Sequence, residues 1–409
     1  MHILYFHQYF QTPKGIGGIR SYNMAQALIK AGHSVTLICG NSVKGSTGLV
    51  KPFIKGRRRG IVDGIDVIEF DLKYSNHLNY LERTKVFIKF TLLSIGIILR
   101  ESSDIVFATS TPLTMGIPGI FSRWFKKKPF IFEVRDLWPE LPRAMGVINN
   151  SLILSVMSFL EWLSYRSANK LIALSPGIKK GISKRGIDIK KIKMIPNGSD
   201  LDLFSNNNFA IRPKGVGQND LMVIFTGTHG VANGLDAVLD AASVLKKRGN
   251  INIKFILIGE GKLKFKLKER AKHEELDNII FLDSMPKTEL KNIMTVADIG
   301  MQILDNIPAF YYGTSPNKFF DYIAAGLPVL NNYPGWIADL ITKNQCGYVI
   351  DPNNPEIFAD MLIDAVESPD KLMKMSLNAR KLAKNKFDTK LLGKKFVRCF
   401  EQIKKSDFK

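Results

Sequence analysis

In Gly313-Thr-Ser-Pro-Asn-Lys-Phe-Phe-Asp321-Tyr-Ile-Ala-Ala-Gly-Leu-Pro-Val329, a turn of small residues runs into a helix and then into a short apolar strand. Pro316 suits a first helical turn, where a missing N–H costs nothing. Gly326 suits the left-handed C-cap, and Pro328 stops any continuation. The spacing predicts a helix starting near residues 315–317, whose free N–H groups make an anion site to which Lys318 adds a full charge. Asp321 follows Lys318 by one turn on the same face and can accept hydrogen bonds from hydroxyls. This order suits a phosphate joined to a ribose; it also fits a capped surface helix that binds nothing.

Working outward, apolar strands alternate with helical patterns on both sides. Strands are expected at 221–226, 253–258, 279–282 and 299–303, with helices at 235–247, 263–273 and 287–295 between them. The first half repeats the pattern, with strands at 3–7, 34–39, 67–70, 105–109, 130–134, 170–174 and 193–195. Helices are expected there at 22–31 and 152–165. Residues 205–220 are polar and rich in Asn and Gly, as a linker would be. The fold class is α/β: two doubly wound domains facing one another, with ligands at the C-terminal ends of parallel strands. The expected domains are 1–204 and 205–385, with a basic helical tail at 386–409 packing back on the first.

The chain has 409 residues, 45% hydrophobic and 23% charged, enough for two ordinary cores. Cys39, Cys346 and Cys399 are isolated and odd in number, so neither a disulfide framework nor a zinc site is indicated, and a reducing compartment fits. The first residues read directly as a strand, without the basic start and cleavage site of a signal peptide. No apolar run reaches the roughly 18–20 residues that span a bilayer. Residues 86–99 come nearest, broken by Lys89 and flanked by Lys85 and Arg100; they suit a core helix or an interfacial one. The net charge is +21, and residues 1–200 carry 29 Lys and Arg against 13 Asp and Glu. Basic clusters at 55–59 and 126–128 suit nucleic acid, anionic lipid headgroups or simply a soluble surface.

Four turns carry candidate chemistry. In Pro13-Lys-Gly-Ile-Gly-Gly-Ile-Arg20 the glycines let a backbone approach a ligand at a helix start. Arg20 stands where the third glycine of a dinucleotide fingerprint belongs, so that motif is absent. Phe130-Ile-Phe-Glu-Val-Arg-Asp-Leu-Trp-Pro-Glu140 leaves a buried strand and turns polar, placing Arg135, Asp136 and Glu140 at its end; an ion pair of Arg135 with a carboxylate would also account for the charges. Gly227-Thr-His-Gly230 offers backbone N–H groups and the His229 imidazole, which equally suits a loop histidine satisfied by neighbours. Gly259-Glu-Gly261 offers Glu260 to a base or ribose. Asp200-Leu-Asp202 has metal-binding spacing but lies at an expected hinge, and no metal is expected there.

Together and in order, Gly15–Gly18, Ala173-Leu-Ser175, Pro196-Asn-Gly-Ser-Asp200 and Asp321-Tyr-Ile-Ala-Ala-Gly-Leu-Pro-Val329 make the chain resemble the retaining glycosyltransferases of family 4, which have the GT-B fold. Glu133-Val-Arg-Asp-Leu-Trp-Pro-Glu140 with Ser315-Pro-Asn-Lys-Phe-Phe-Asp-Tyr322 is similar to the branch holding bacterial O-antigen and capsule N-acetyl-L-fucosaminyltransferases. The resemblance implies that Asp321 holds the ribose hydroxyls, while Lys318 and the helix start, with Thr314, Ser315 and Asn317, hold the diphosphate. Gly17 and Gly18 would close over the donor, with Gly227 and His229 also on the donor side. Glu260, Ser284 and Met285 would line the uracil. There are departures: the first Glu of the family's Glu-x7-Glu motif falls at Gly313, and its usual diphosphate Arg and Lys fall at Thr228 and Asn233. That charge would then rest on Lys318, backbone dipoles and Arg20. Arg135 stands where many relatives have a histidine.

The resemblance implies a UDP-sugar donor, such as UDP-N-acetyl-L-fucosamine, and a polyprenyl-diphosphate-linked sugar acceptor. It implies metal-independent transfer, with Asp136 or Glu140 on the acceptor hydroxyl and Arg135 stabilising charge. The place of action would be the inner face of the cytoplasmic membrane, at an anionic lipid surface met by the basic first half. Two other readings are a UDP-sugar 2-epimerase of similar plan and a basic nucleic-acid-binding protein. The second lacks any helix-turn-helix, zinc-finger or aromatic RNA-binding signature, and no nucleic-acid partner is expected.

Overall fold

Runs such as Ile105-Val-Phe-Ala-Thr109 and Phe130-Ile-Phe-Glu-Val134 are buried at every position. Strands without polar alternation belong inside a sheet covered on both faces, and that is where they lie. The computed structural model describes residues 1–42, 46–75, 78–205 and 211–403. It divides into a first unit, Met1–Asn197 with Tyr312–Ser315 and Lys390–Lys409, and a second, Gly198–Tyr311 with Pro316–Thr389. The first unit therefore ends before the linker expected at 205–220, and it takes back two later pieces of chain.

The first unit is built on β1 (His2–Phe6), β2 (Ser34–Ser42), β3 (Arg57–Val62), β4 (Ile65–Tyr74), β5 (Ile105–Thr109), β6 (Phe130–Val134), β7 (Lys170–Ala173) and β8 (Ile192–Met194). Their order in the sheet is β3-β4-β2-β1-β5-β6-β7-β8, parallel except for the β3–β4 pair. The second unit holds β9 (Leu221–Thr226), β10 (Ile253–Ile258), β11 (Ile279–Leu282), β12 (Ile299–Gln302), β13 (Val329–Asn331) and β14 (Gly347–Val349). Their order is β11-β10-β9-β12-β13-β14, all parallel. In each sheet the chain winds outward on one side of its first strand and returns on the other. The switch points fall between β1 and β5 and between β9 and β12, and crevices at the C-terminal ends of such strands are where open α/β sheets take ligands.

The strand β3 is absent from the sequence-based expectation. Its Arg57-Arg-Arg59 belongs to the cluster that suited nucleic acid, anionic lipid or a soluble surface, but Arg58 pairs with Glu69 at 2.8 Å, and Arg59 pairs with Asp66 at 2.6 Å and Glu101 at 2.7 Å. Much of that charge is therefore neutralised at a sheet edge. The final helix, Thr389–Glu401, buries Leu392, Phe396 and Phe400. The last two rings lie 5.1 and 5.6 Å from Phe107 in the first unit's core. Residues 86–99 belong to the helix Tyr80–Arg100, which starts at a capping box of Asn79 and Glu82. It buries Phe90, Ile97 and Ile98 and exposes Leu81, Ile88, Leu92 and Leu99. Among the described residues, no helix is long and apolar enough to cross a membrane.

Candidate functional site

In the first unit, polar residues gather where β1, β5 and β6 end. Gly17 has φ +147° and, with Gly18, is exposed. A Cβ at Gly15 would lie 2.5 Å from Gln11 Oε1, and one at Gly17 would lie 2.9 Å from Gln11 Nε2. The Gln11 side chain thus packs directly against the loop, the positive φ of Gly17 favours glycine there, and the exposed backbone of Gly17 and Gly18 remains open to a ligand.

Arg20 must be corrected. It opens the helix Arg20–Lys30 but is only 5% exposed. Nε and Nη2 donate to Glu133 Oε2 at 3.0 and 2.7 Å, Nη1 donates to the Pro196 carbonyl at 2.7 Å, and Nη2 also reaches the Ile195 carbonyl at 2.9 Å. Thr109 Oγ1 donates to the other Glu133 oxygen. Four of its five N–H groups donate to the interior and its charge is paired with Glu133, so it is committed to the fold rather than to a diphosphate.

The β6 end matches the expectation more closely. Arg135 donates its backbone N–H to Ser110 Oγ at 2.9 Å, and its Nη1 lies 3.2 Å from His7 Nε2. Among the described residues no carboxylate lies within ion-pair distance of Arg135, so the ion-pair alternative falls away. Asp136 accepts from Thr111 Oγ1 at 2.9 Å, and burial raises its carboxyl above the usual range. Thr111 itself is held at φ +85°, rare for a β-branched residue. Glu140 is exposed at the start of the helix Glu140–Ala144, and its charge acts on Glu161. His7, Ser110 and Thr111 went unread in the sequence, although each sits at the C-terminal end of a strand.

In the second unit, the helix Asn317–Ala325 begins after Pro316 and ends at Gly326 with φ +82°. No side chain caps its N-terminus, so its first N–H groups are not used by a capping side chain. Lys318 Nζ donates to Asn233 Oδ1 at 2.8 Å and sits 3.9 Å above the Phe225 ring. Gly227, at φ +146°, makes room for it: a Cβ there would lie 3.3 Å from Lys318 Cε. Burial lowers the Lys318 pKa to about 7. Asn233, which stands where relatives have a cation, here orients one.

Asp321 is 7% exposed and already engaged. Its Oδ1 accepts from Ser199 Oγ at 2.7 Å and pairs with Lys287 Nζ at 2.6 Å. Lys287, at the start of the helix Lys287–Val296, is a site residue that the sequence did not reveal. Glu260 pairs with Lys264 at 2.8 Å, and Lys264 also holds Asp283 at 2.7 Å. Ser284 and Met285 follow, half-buried, in the turn after β11.

Two donor-side expectations gain a structural setting. His229 is 0% exposed, packed between the Phe225 and Phe281 rings, and burial with the nearby Lys264 lowers its pKa to about 4. The ring is neutral there and neither of its nitrogens meets a hydrogen-bond partner among the described residues, while the backbone N–H donates to the Glu260 carbonyl. Thr314 and Ser315 belong to the first unit, where Ser315 Oγ accepts the Asn197 N–H at 3.0 Å and its carbonyl accepts Asn197 Nδ2 at 2.6 Å. The Ser315 hydroxyl is thereby tied to backbone. Asp200 Oδ1 accepts the Asp202 N–H, a local turn contact. Among the described residues no group of three metal-ligating side chains comes together.

Comparison with known proteins agrees with this arrangement. A Glycosyltransferase Family 4 domain matches residues 17–203, and a Glycosyl transferases group 1 domain matches residues 207–382. The probable glycosyltransferase WbjE of Pseudomonas aeruginosa is 22% identical over 335 residues, 79% of this chain and 82% of its own. The amylovoran biosynthesis glycosyltransferase AmsK of Erwinia amylovora is 21% identical over 239 residues, 58% of this chain and 54% of its own. Anabaena Alr3699/HepE, solved in complex with UDP, superposes with a TM-score of 0.67 at 14% identity, over 98% of this chain and 100% of its own. Carrying these two domain families in order, one over each sheet, the chain is a glycosyltransferase with the GT-B fold.

Proposed function

We propose that the protein transfers an N-acetylamino sugar, N-acetyl-L-fucosamine by its motifs, from UDP to a polyprenyl-diphosphate-linked sugar during surface polysaccharide assembly. The observation that carries this reading is Lys318, a half-buried basic side chain at an uncapped helix start with Asp321 one turn further on. The HepE complex with UDP and the naming of AmsK for amylovoran biosynthesis support the donor and the setting.

The leaving group of such a transfer is a diphosphate on which charge develops. Lys318 and the free N–H groups of the helix Asn317–Ala325 are fixed dipoles and charge aimed at that position, the arrangement that most lowers such a barrier. Asp321 takes the ribose hydroxyls, for which Lys287 gives up part of its hold. In the first unit, Asp136 accepts the acceptor hydroxyl, its raised pKa suiting proton transfer, and Arg135 stabilises the negative charge. Retention of configuration is part of this reading, and the reading calls for no metal.

Three helices of the first unit favour action at an anionic membrane surface, on the cytoplasmic side. The helix Ser151–Ser167 exposes Leu152, Val156 and Phe159, the helix Gly116–Phe125 exposes Trp124 and Phe125, and Tyr80–Arg100 adds the residues named above. Lys126 and Lys127 lie exposed beside Phe125. Purified protein given a panel of UDP-sugars and a synthetic polyprenyl-diphosphate sugar should extend the lipid-linked sugar. Release of an epimerised free sugar nucleotide without acceptor would replace this reading with the epimerase. Binding to vesicles should rise with anionic lipid content and fall with salt; insensitivity to both would remove the membrane part.

A further inference from the structure

His7 is a buried histidine that the mechanism above leaves unused. It follows β1 directly and is 3% exposed, and its Nε2 meets Arg135 Nη1 at 3.2 Å. A guanidinium has only donors, so Nε2 must present its lone pair, and the ring is neutral with its proton on Nδ1. A charged ring would set two cations against each other in a desolvated place.

The contact governs the Arg135 side chain alone. The backbone at Arg135 is fixed separately by Ser110 Oγ, and the neighbouring Asp136 turns to Thr111. With no carboxylate at ion-pair distance among the described residues, His7 is the side chain found to orient this guanidinium.

We infer that His7 is a positioning residue: its neutral ring takes one N–H of Arg135 and so holds the other guanidinium N–H groups toward the charge that develops in transfer. The inference rests on the role proposed for Arg135. It explains how a cation can stay beside a histidine without being neutralised, and it makes the two side chains one functional group.

Two measurements test it. In unliganded protein at pH 7, 15N NMR of His7 should show the neutral tautomer protonated at Nδ1. An imidazolium or an Nε2–H tautomer would overturn the inference, whatever the substrates prove to be. In the transfer assay, His7→Ala should lower kcat by about a hundredfold with KM for both substrates little changed, the scale expected when a reacting group is displaced by about 1 Å. His7→Gln, whose side-chain oxygen can accept at similar reach, should recover most of that loss. Melting curves for both variants separate this effect from unfolding. An unchanged kcat in folded His7→Ala, or no recovery in folded His7→Gln, would overturn the inference. Full activity in Arg135→Ala would instead overturn the proposed role of Arg135. Loss in Arg135→Ala with none in His7→Ala would remove only the His7 inference.

Discussion

Each unit holds a basic side chain drawn in from solvent near the C-terminal edge of its sheet, Arg20 buried and Lys318 half-buried, and the two are opposites. Arg20 in the first unit gives four of its five N–H groups to Glu133 and two carbonyls. Lys318 in the second unit is met by an amide oxygen and an aromatic face, and its pKa falls to about 7. A buried charge whose partners are complete is architecture. A basic group withdrawn from water and held by neutral partners stays costly until an anion arrives, which is why the proposed donor site is placed there. Sequence position alone put both residues on the diphosphate; the partners distinguish them.

Breaking the complete pair should give the largest effect. Arg20→Ala leaves the Glu133 carboxylate buried without its cation, and should destabilise the protein by about 3–5 kcal/mol. Denaturant unfolding would read this, and any folded fraction should bind UDP with unchanged affinity. Weakened UDP binding by that fraction would return Arg20 to the donor site.

Lys318→Met should do the reverse. UDP affinity should fall by about a hundredfold in calorimetry, on the scale of 1.5–3 kcal/mol for a hydrogen bond to a charged group. Stability without ligand should hold or rise. The sign follows from the lowered pKa: the unfolded chain, with Lys318 at its ordinary 10.5, binds more protons than the folded one between about 7 and 10.5. The native protein therefore carries the full penalty below pH 7 and loses it as pH rises through that window. The stability gap between variant and native protein should close correspondingly.

Two smaller changes sharpen the contrast within the second unit and at the turn before its helix. Lys287→Ala frees Asp321 from its internal cation and should tighten UDP binding by about tenfold, near the low end of the same charged-hydrogen-bond scale. Weaker binding would mean that Lys287 itself serves the donor. Gly313→Glu should leave stability within about 0.5 kcal/mol, because a Cβ there meets nothing within 4 Å. It should change the ranking of UDP-sugars in the transfer assay, since it supplies a carboxylate where the motif usually has one.

The repeated strand pattern, the glycine turns and the caps of the helix Asn317–Ala325 were legible in the sequence because they are local. Pro316 and Gly326 act within their own turns. What was not legible depends on distant partners. Arg20 finds Glu133 more than a hundred positions away, and Asp321 finds Ser199 and Lys287. Likewise β3 hides in a run of arginines whose acids, Asp66, Glu69 and Glu101, come later. His229 looked like a ligand group because nothing in Gly227-Thr-His-Gly230 reveals the two phenylalanines that enclose it.

The account turns on the lowered pKa of Lys318, about 7, rising when a diphosphate binds beside it. Calorimetric titration of UDP-N-acetylglucosamine, whose diphosphate does not titrate in this range, in buffers of different ionisation enthalpy measures protons taken up on binding. The expected result is uptake approaching one proton at pH 8 and close to none at pH 6, with the pH 8 uptake abolished in Lys318→Met. No uptake at pH 8, or equal uptake in the variant, would contradict it.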